Sequence, residues 1–231
     1  MKRQLIGGLA LSLVLAANSY AGPRETGMPR TMNQGTITIR IHNYAQVSRS
    51  VLLPSTKAAS EILREAGVDT VWVECFAGQA SLPDSVCTNP VTPLDLVVNL
   101  LPQCQAHSFH LRDEILGVAM EGTGQNFGIL ASVFYDSVKV YAAHRGLNLF
   151  QLLGHVIAHE VGHLLLGADS HSSDGVMRAC WSGKELVAAA QRGLSFSFSE
   201  KKKLQIILIA RTHATLIGDE SHEFPAWVLL Y

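Results

Sequence analysis

"HEVGHLLLGADSHSSDGVM", residues 159–177, sets histidines, carboxylates, glycines and a methionine at the end of a strongly apolar stretch. The run from Leu147 to Leu166 is apolar on almost every helical face, which predicts a central, buried helix. His159 and His163 are four residues apart. On a helix their rings leave the same face one turn apart, a separation from which two imidazole nitrogens reach one zinc ion. Glu160 is about 100° further round, beside such an ion without being forced to coordinate it. That is where a base is needed to take a proton from metal-activated water. Two satisfied core histidines would explain the imidazoles but not Glu160, because burying a carboxylate on an apolar helix is costly unless its charge is compensated. A metal supplies that compensation.

A third protein ligand must follow. Gly167 can take the left-handed conformation that ends a helix and turns the chain back, and Asp169 and His171 come next. His171 would give an all-nitrogen zinc site and is favoured on ligand preference; Asp169, giving two nitrogens and an oxygen, is the alternative. His155 extends the stripe by one turn and is read as core or as support for the site. Gly162 is either a point of close approach for another segment or a tolerated glycine costing about 1 kcal/mol against alanine. His107 and His110, within "QCQAHSFHLRDE", are read as a solvated surface pair.

The stretch resembles the metzincins, zinc endopeptidases with the pattern HExxHxxGxxH followed by a methionine turn. His159, Glu160 and His163 match its first half, and Gly167, His171 and Met177 look like the later glycine, third histidine and turn methionine. Gly167 is one residue late against that pattern and His171 two residues late, so strict register puts the third ligand on Asp169. Some metzincin-like proteins carry aspartate there. The resemblance implies one catalytic Zn2+ and makes Met177 a floor beneath it that packs without donating. It implies an α+β fold: a mixed, mostly parallel sheet with an antiparallel edge strand, the central zinc-binding helix and a smaller C-terminal helical subdomain. The edge strand, Leu116, Gly117, Val118, Ala119 and Met120, would line the substrate cleft. No tyrosine follows Met177 closely, so no oxyanion partner is assigned. The variant spelling resembles secreted bacterial metzincin-like proteins.

Upstream of the long helix the pattern is strand-rich. "TITIRIHNYA" (36–45) alternates and is β-branched. Pro54 opens a helical pattern with Ala58, Ala59, Ile62, Leu63 and Ala66 on one face, ended by Gly67. With "VDTVWVEC" (68–75) these make a βαβ unit. "LDLVVNLL" (94–101) predicts a buried strand. "ILGVAM" (115–120) and "GILASVFY" (128–135) predict two more, joined by the Gly-rich "EGTGQNF" as a hairpin. A helix is expected from Asp136 to His144, broken by Gly146. Beyond Gly167, "SGKELVAAAQRG" predicts a short helix and 199–213 a longer one with Ser199 as N-cap. The apolar tail "FPAWVLLY" is expected to dock on the domain surface.

The chain opens with Lys2 and Arg3, an apolar run from Leu5 to Ala17, and Ser19-Tyr20-Ala21. This predicts a secretory signal peptide over 1–21 cleaved after Ala21, in preference to an uncleaved anchor. Residues 22–35 are polar and loose, too short for a folded inhibitory pro-domain, and 36–231 form one domain, with an upper part to 167 and a lower part from 168. Roughly 210 residues remain, enough for one sizeable core. No later run is expected to span a bilayer. With 18 basic and 19 acidic residues the net charge is −1, which points away from nucleic acid and anionic membranes. Export permits disulfides. Cys75 and Cys87 flank a Gly/Ser/Pro loop and form the expected pair, with Cys104–Cys180 following by elimination. The absence of Cys-x-x-Cys spacing disfavours cysteine ligands and redox chemistry.

The expected function is a monomeric, secreted or periplasmic zinc endopeptidase acting on peptide or protein substrates, with Glu160 as general base. The alternative is a catalytically silent zinc-containing envelope binding protein on the same fold. An intact Glu160 argues against silence, since a structural zinc site needs no base.

Overall fold

A computed structural model describes residues 35–75, 86–108, 115–120, 122, 127–167, 169–191 and 193–217. The elements run β1 (Ile37–Asn43), α1 (Arg49–Glu65), β2 (Thr70–Cys75), β3 (Asp95–Leu101), α2 (Gln103–Ser108), β4 (Gly117–Met120), β5 (Leu130–Phe134), α3 (Tyr135–Arg145), α4 (Leu149–Leu166), α5 (Gly183–Ala190) and α6 (Phe198–Ile217). The strands form one mixed, mostly parallel sheet in the order β2-β1-β3-β5-β4. β1 runs parallel to β2 and β3, and β3 parallel to β5; only β4, at the edge, is antiparallel to its neighbour.

Sequence and burial agree in β1 and β3. Ile37, Ile39 and Ile41 of β1 are buried and join the main core. β3 is buried at every position, as its unbroken apolar run requires. On the opposite face of β1, Arg40 is 4% exposed. It pairs with Asp95 at 3.3 Å and donates to the carbonyls of Asn89 and Pro90 at 2.5 and 3.1 Å, so loop 86–93 covers that side of the sheet.

α1 starts at Arg49, five residues before the expected opening at Pro54. The carbonyl that loses its helical donor at Pro54 is that of Ser50, an exposed residue, so the interruption strands no buried group. α6 begins at Phe198, and its cap is Ser197 rather than Ser199: Ser197 N–H donates to Glu200 Oε2 at 2.6 Å and Glu200 N–H to Ser197 Oγ at 3.3 Å, a capping box. α2 was not expected, because six mostly polar residues carry no hydrophobic period. α4 also corrects an expectation, being long and apolar enough to cross a bilayer by length and composition, yet 78% of it is buried within the protein.

α4 lies in the middle of the core, with Asn148 accepting from Gln151 N–H as its N-cap. A Cβ built at Gly154 would stand 2.7 Å from both Ala58 Cβ and Ser55 O of α1, so a glycine is what lets the two helices touch at that point. The Cys75–Cys87 disulfide is formed. The Cys104–Cys180 pair is not: both thiols are free and exposed. Elimination supplies no geometry, and a bridge needs Cα atoms within about 7 Å. The signal segment, the 121–126 hairpin apart from Gly122, His110 and the 224–231 tail lie outside the described residues, as does the His107 side chain.

Candidate metal centre

α4 carries His159, Glu160 and His163, and the loop beyond it brings in His171. His163 Nε2 lies 3.1 Å from His159 Nε2 and 3.1 Å from His171 Nε2. The ligand atoms of the three lie within 4.8 Å of one another, the group among the described residues that could hold a metal ion. Two nitrogens bound to one tetrahedral zinc at 2.0–2.1 Å would be about 3.3 Å apart, so the spacing fits.

The other ring nitrogens fix what these can do. His159 Nδ1 is 2.7 Å from the Val176 carbonyl. A carbonyl only accepts, so that nitrogen carries the proton and Nε2 presents a lone pair. His163 Nδ1 meets Ser170 Oγ at 2.9 Å, a hydroxyl able to accept in the same way. Two lone pairs facing each other at 3.1 Å require a cation or a proton between them. Protonation is disfavoured: burial, followed by the neighbouring His159 and His171, pushes His163 down to about 4, and burial lowers His159 as well. Neutral imidazoles converging in a site that resists protons suit a divalent metal.

Asp169 stands outside this group. It is exposed and takes a positive φ of 56°. Gly167 ends α4 with φ 85° and ψ −170°, which corrects the expected left-handed turn: the chain leaves the helix through a region that is essentially glycine-only. The loop then closes on itself. Ser172 N–H donates to the Met177 carbonyl at 3.0 Å, and Val176 N–H to the Ser195 carbonyl at 3.0 Å. Met177 is fully buried. A Cβ at Gly162 would collide with Met177 Sδ and come within 3.1 Å of Phe196 Cε1, so Gly162 is a point of close approach. His155 is completely buried, its Nδ1 donating to the Gln151 carbonyl at 2.8 Å.

Glu160 is 5% exposed, and burial raises its carboxyl to about 8. It lies at the wall of a cleft of about 730 Å³ that also takes in His159, His163 and His171. Leu116 to Ala119 line the cleft with Tyr141, Val156, Trp181 and Leu186; Met120, also expected there, is exposed and outside the lining. Sequence reading missed Ser170, Tyr141 and Trp181. The Trp181 ring stands edge-on to His159 with centroids 5.7 Å apart. A hydroxyl between two possible ligands was the one available signal for Ser170; nothing in the spacing marks the other two.

No family model matches the chain, and no curated protein matches it. Among solved structures it is similar to the crystal structure of archaemetzincin from Methanopyrus kandleri, at 15% identity and a TM-score of 0.46, over 79% of this chain and 99% of that one.

Proposed function

We propose that this protein is an exported, zinc-dependent endopeptidase. The observation that carries the reading is the convergence of three imidazole nitrogens beside a buried glutamate, in a cleft bordered by an edge strand. His159, His163 and His171 would hold the ion, since their ligand atoms converge and Asp169 is not among them. Bound zinc supplies Lewis acidity, acidifying a water and polarising a carbonyl. The remaining work belongs to the chain. Glu160 takes the water's proton and passes it to the departing amine. Burial alone would keep its carboxyl protonated near neutral pH; a dication held by the adjacent imidazoles opposes that shift and leaves a base matched to the task. β4 offers backbone N–H and C=O groups along its outer edge to an extended peptide. The apolar side chains of Tyr141, Val156, Trp181 and Leu186 give that peptide's side chains a dry wall. Export is supported by the basic-then-apolar N-terminus ending in Ser19-Tyr20-Ala21 and by the Cys75–Cys87 disulfide, which persists in oxidising compartments.

The test uses purified protein and an unfolded protein as substrate. Cleavage should be abolished by a chelator and restored by zinc. Glu160→Gln should lower the rate by about 10³-fold with metal content unchanged. A Gln variant as fast as wild type would remove Glu160 from the mechanism. Zinc binding without any chelator-sensitive cleavage would leave the silent envelope protein as the reading.

A further inference from the structure

Gly117 opens β4 and lies opposite Val133 of β5. Its φ is not in the left-handed region, so its backbone could carry any residue. The space beside it could not. A Cβ there would stand 2.5 Å from Glu160 Oε1 and 2.8 Å from both Glu160 Cδ and Cγ. The contact involves most of the side chain, beyond a mobile tip. Glu160 is 5% exposed and reaches the cleft only at its margin, so the packing around it leaves its side chain little freedom. The strand is pinned as well: Phe134 N–H donates to the Leu116 carbonyl at 2.9 Å, and all four β4 residues are in register with β5. If a methyl group appeared at this position, the carboxylate would have to move.

We infer that Gly117 is a positioning residue: the side of its Cα that carries only a hydrogen in place of a side chain is the seat of the Glu160 carboxylate, so the edge strand, together with α4, sets where the base stands. This ties the base to the strand that borders the cleft. A peptide laid along β4 is thereby registered against the same backbone that locates the proton acceptor. The kinetic consequence rests on the peptidase reading; the seat itself does not.

The experiment has two arms. In the first, Gly117→Ala should lower kcat by about 100-fold, the loss that follows from roughly an ångström of misplacement. KM and bound metal should stay within about twofold of wild type, because strand pairing and the imidazoles are untouched. In the second, thermal unfolding is followed for Gly117→Ala, Glu160→Ala and the double variant, all without substrate. Gly117→Ala should lower Tm by about 5 °C, the effect of one overpacked methyl in a chain of this size, and Glu160→Ala should recover most of that loss. Additive Tm changes would overturn the seat, as would a Gly117→Ala variant with normal kcat. If Gly117→Ala alone does not fold, a folded double variant supports the inference and an unfolded one overturns it. If wild type shows no cleavage, the peptidase reading fails while the unfolding arm still decides the seat.

Discussion

The Nδ1 atoms govern what the Nε2 atoms of this site are able to do. His159 is held by the Val176 carbonyl at 2.7 Å and His163 by Ser170 Oγ at 2.9 Å; each bond holds a ring orientation, and the carbonyl, which only accepts, also fixes the His159 tautomer. Outer partners of this kind are worth about 10–100-fold in metal affinity. Ser170→Ala is therefore expected to weaken zinc binding by about tenfold in competition with a chelator, leaving the fold's unfolding midpoint nearly unchanged. Wild-type affinity in that variant would mean that Ser170 merely abuts the ring. The third ligand gives a sharper contrast. His171→Ala should purify with little metal and Asp169→Ala with the full complement; the reverse result would move the ligand to Asp169. Helical geometry made His159, Glu160 and His163 legible, since spacing alone puts them on adjoining faces. It left Asp169 and His171 both open, because the choice turns on backbone angles at Gly167 and Asp169 that spacing does not encode.

At the scale of elements, α4 is a helix without a solvent face, so each neighbour's approach must be settled by side-chain size. Gly154 admits α1, and Gly162 admits Met177 and Phe196. Gly162→Ala isolates the effect, because on an exposed helix the change would stabilise by about 1 kcal/mol. Here the added methyl would meet buried Met177 and Phe196, so the variant is expected to lose about 1–3 kcal/mol, read as a lower midpoint in urea with unchanged slope. A gain in stability would show that Met177 moves aside at no cost and is no fixed floor. The core of each long element was legible because burial leaves a period: the Leu52, Ser55, Ala59, Ile62 face of α1 and the continuous run of β3. Ends were less legible. Proline at position 54 looked like an opening because its missing N–H usually marks one, whereas this helix exposes the one carbonyl that proline leaves without a donor.

Across the whole molecule, the order of strands and helices follows from patterns in the sequence, but what binds the layers together does not. Arg211 is the clearest case. An arginine in an amphipathic helix reads as solvent-facing, yet this one is completely buried. It donates to the carbonyls of Pro93 at 2.7 Å, Gly128 at 2.8 Å and Leu164 at 2.7 Å, and its guanidinium stands 4.6 Å from the Phe127 ring centroid. Those carbonyls belong to the approach to β3, the approach to β5 and the last turn of α4. One side chain of α6 thus clamps two strands of the sheet and the helix that bears the histidines. Its charge also faces the C-terminal end of α4, where the helix dipole favours a cation. Burial lowers its pKa to about 10, so it keeps that charge at neutral pH. Arg211→Met keeps much of the volume and removes every donor. Three inward carbonyls would then lose a charged partner, at a cost of about 3–5 kcal/mol, measurable by urea unfolding of the variant. The same variant should bind zinc less tightly than wild type, since the end of α4 that presents His163 has lost its anchor. A loss below about 1 kcal/mol would mean that water or backbone movement satisfies the three carbonyls, and that α6 covers the core without clamping it.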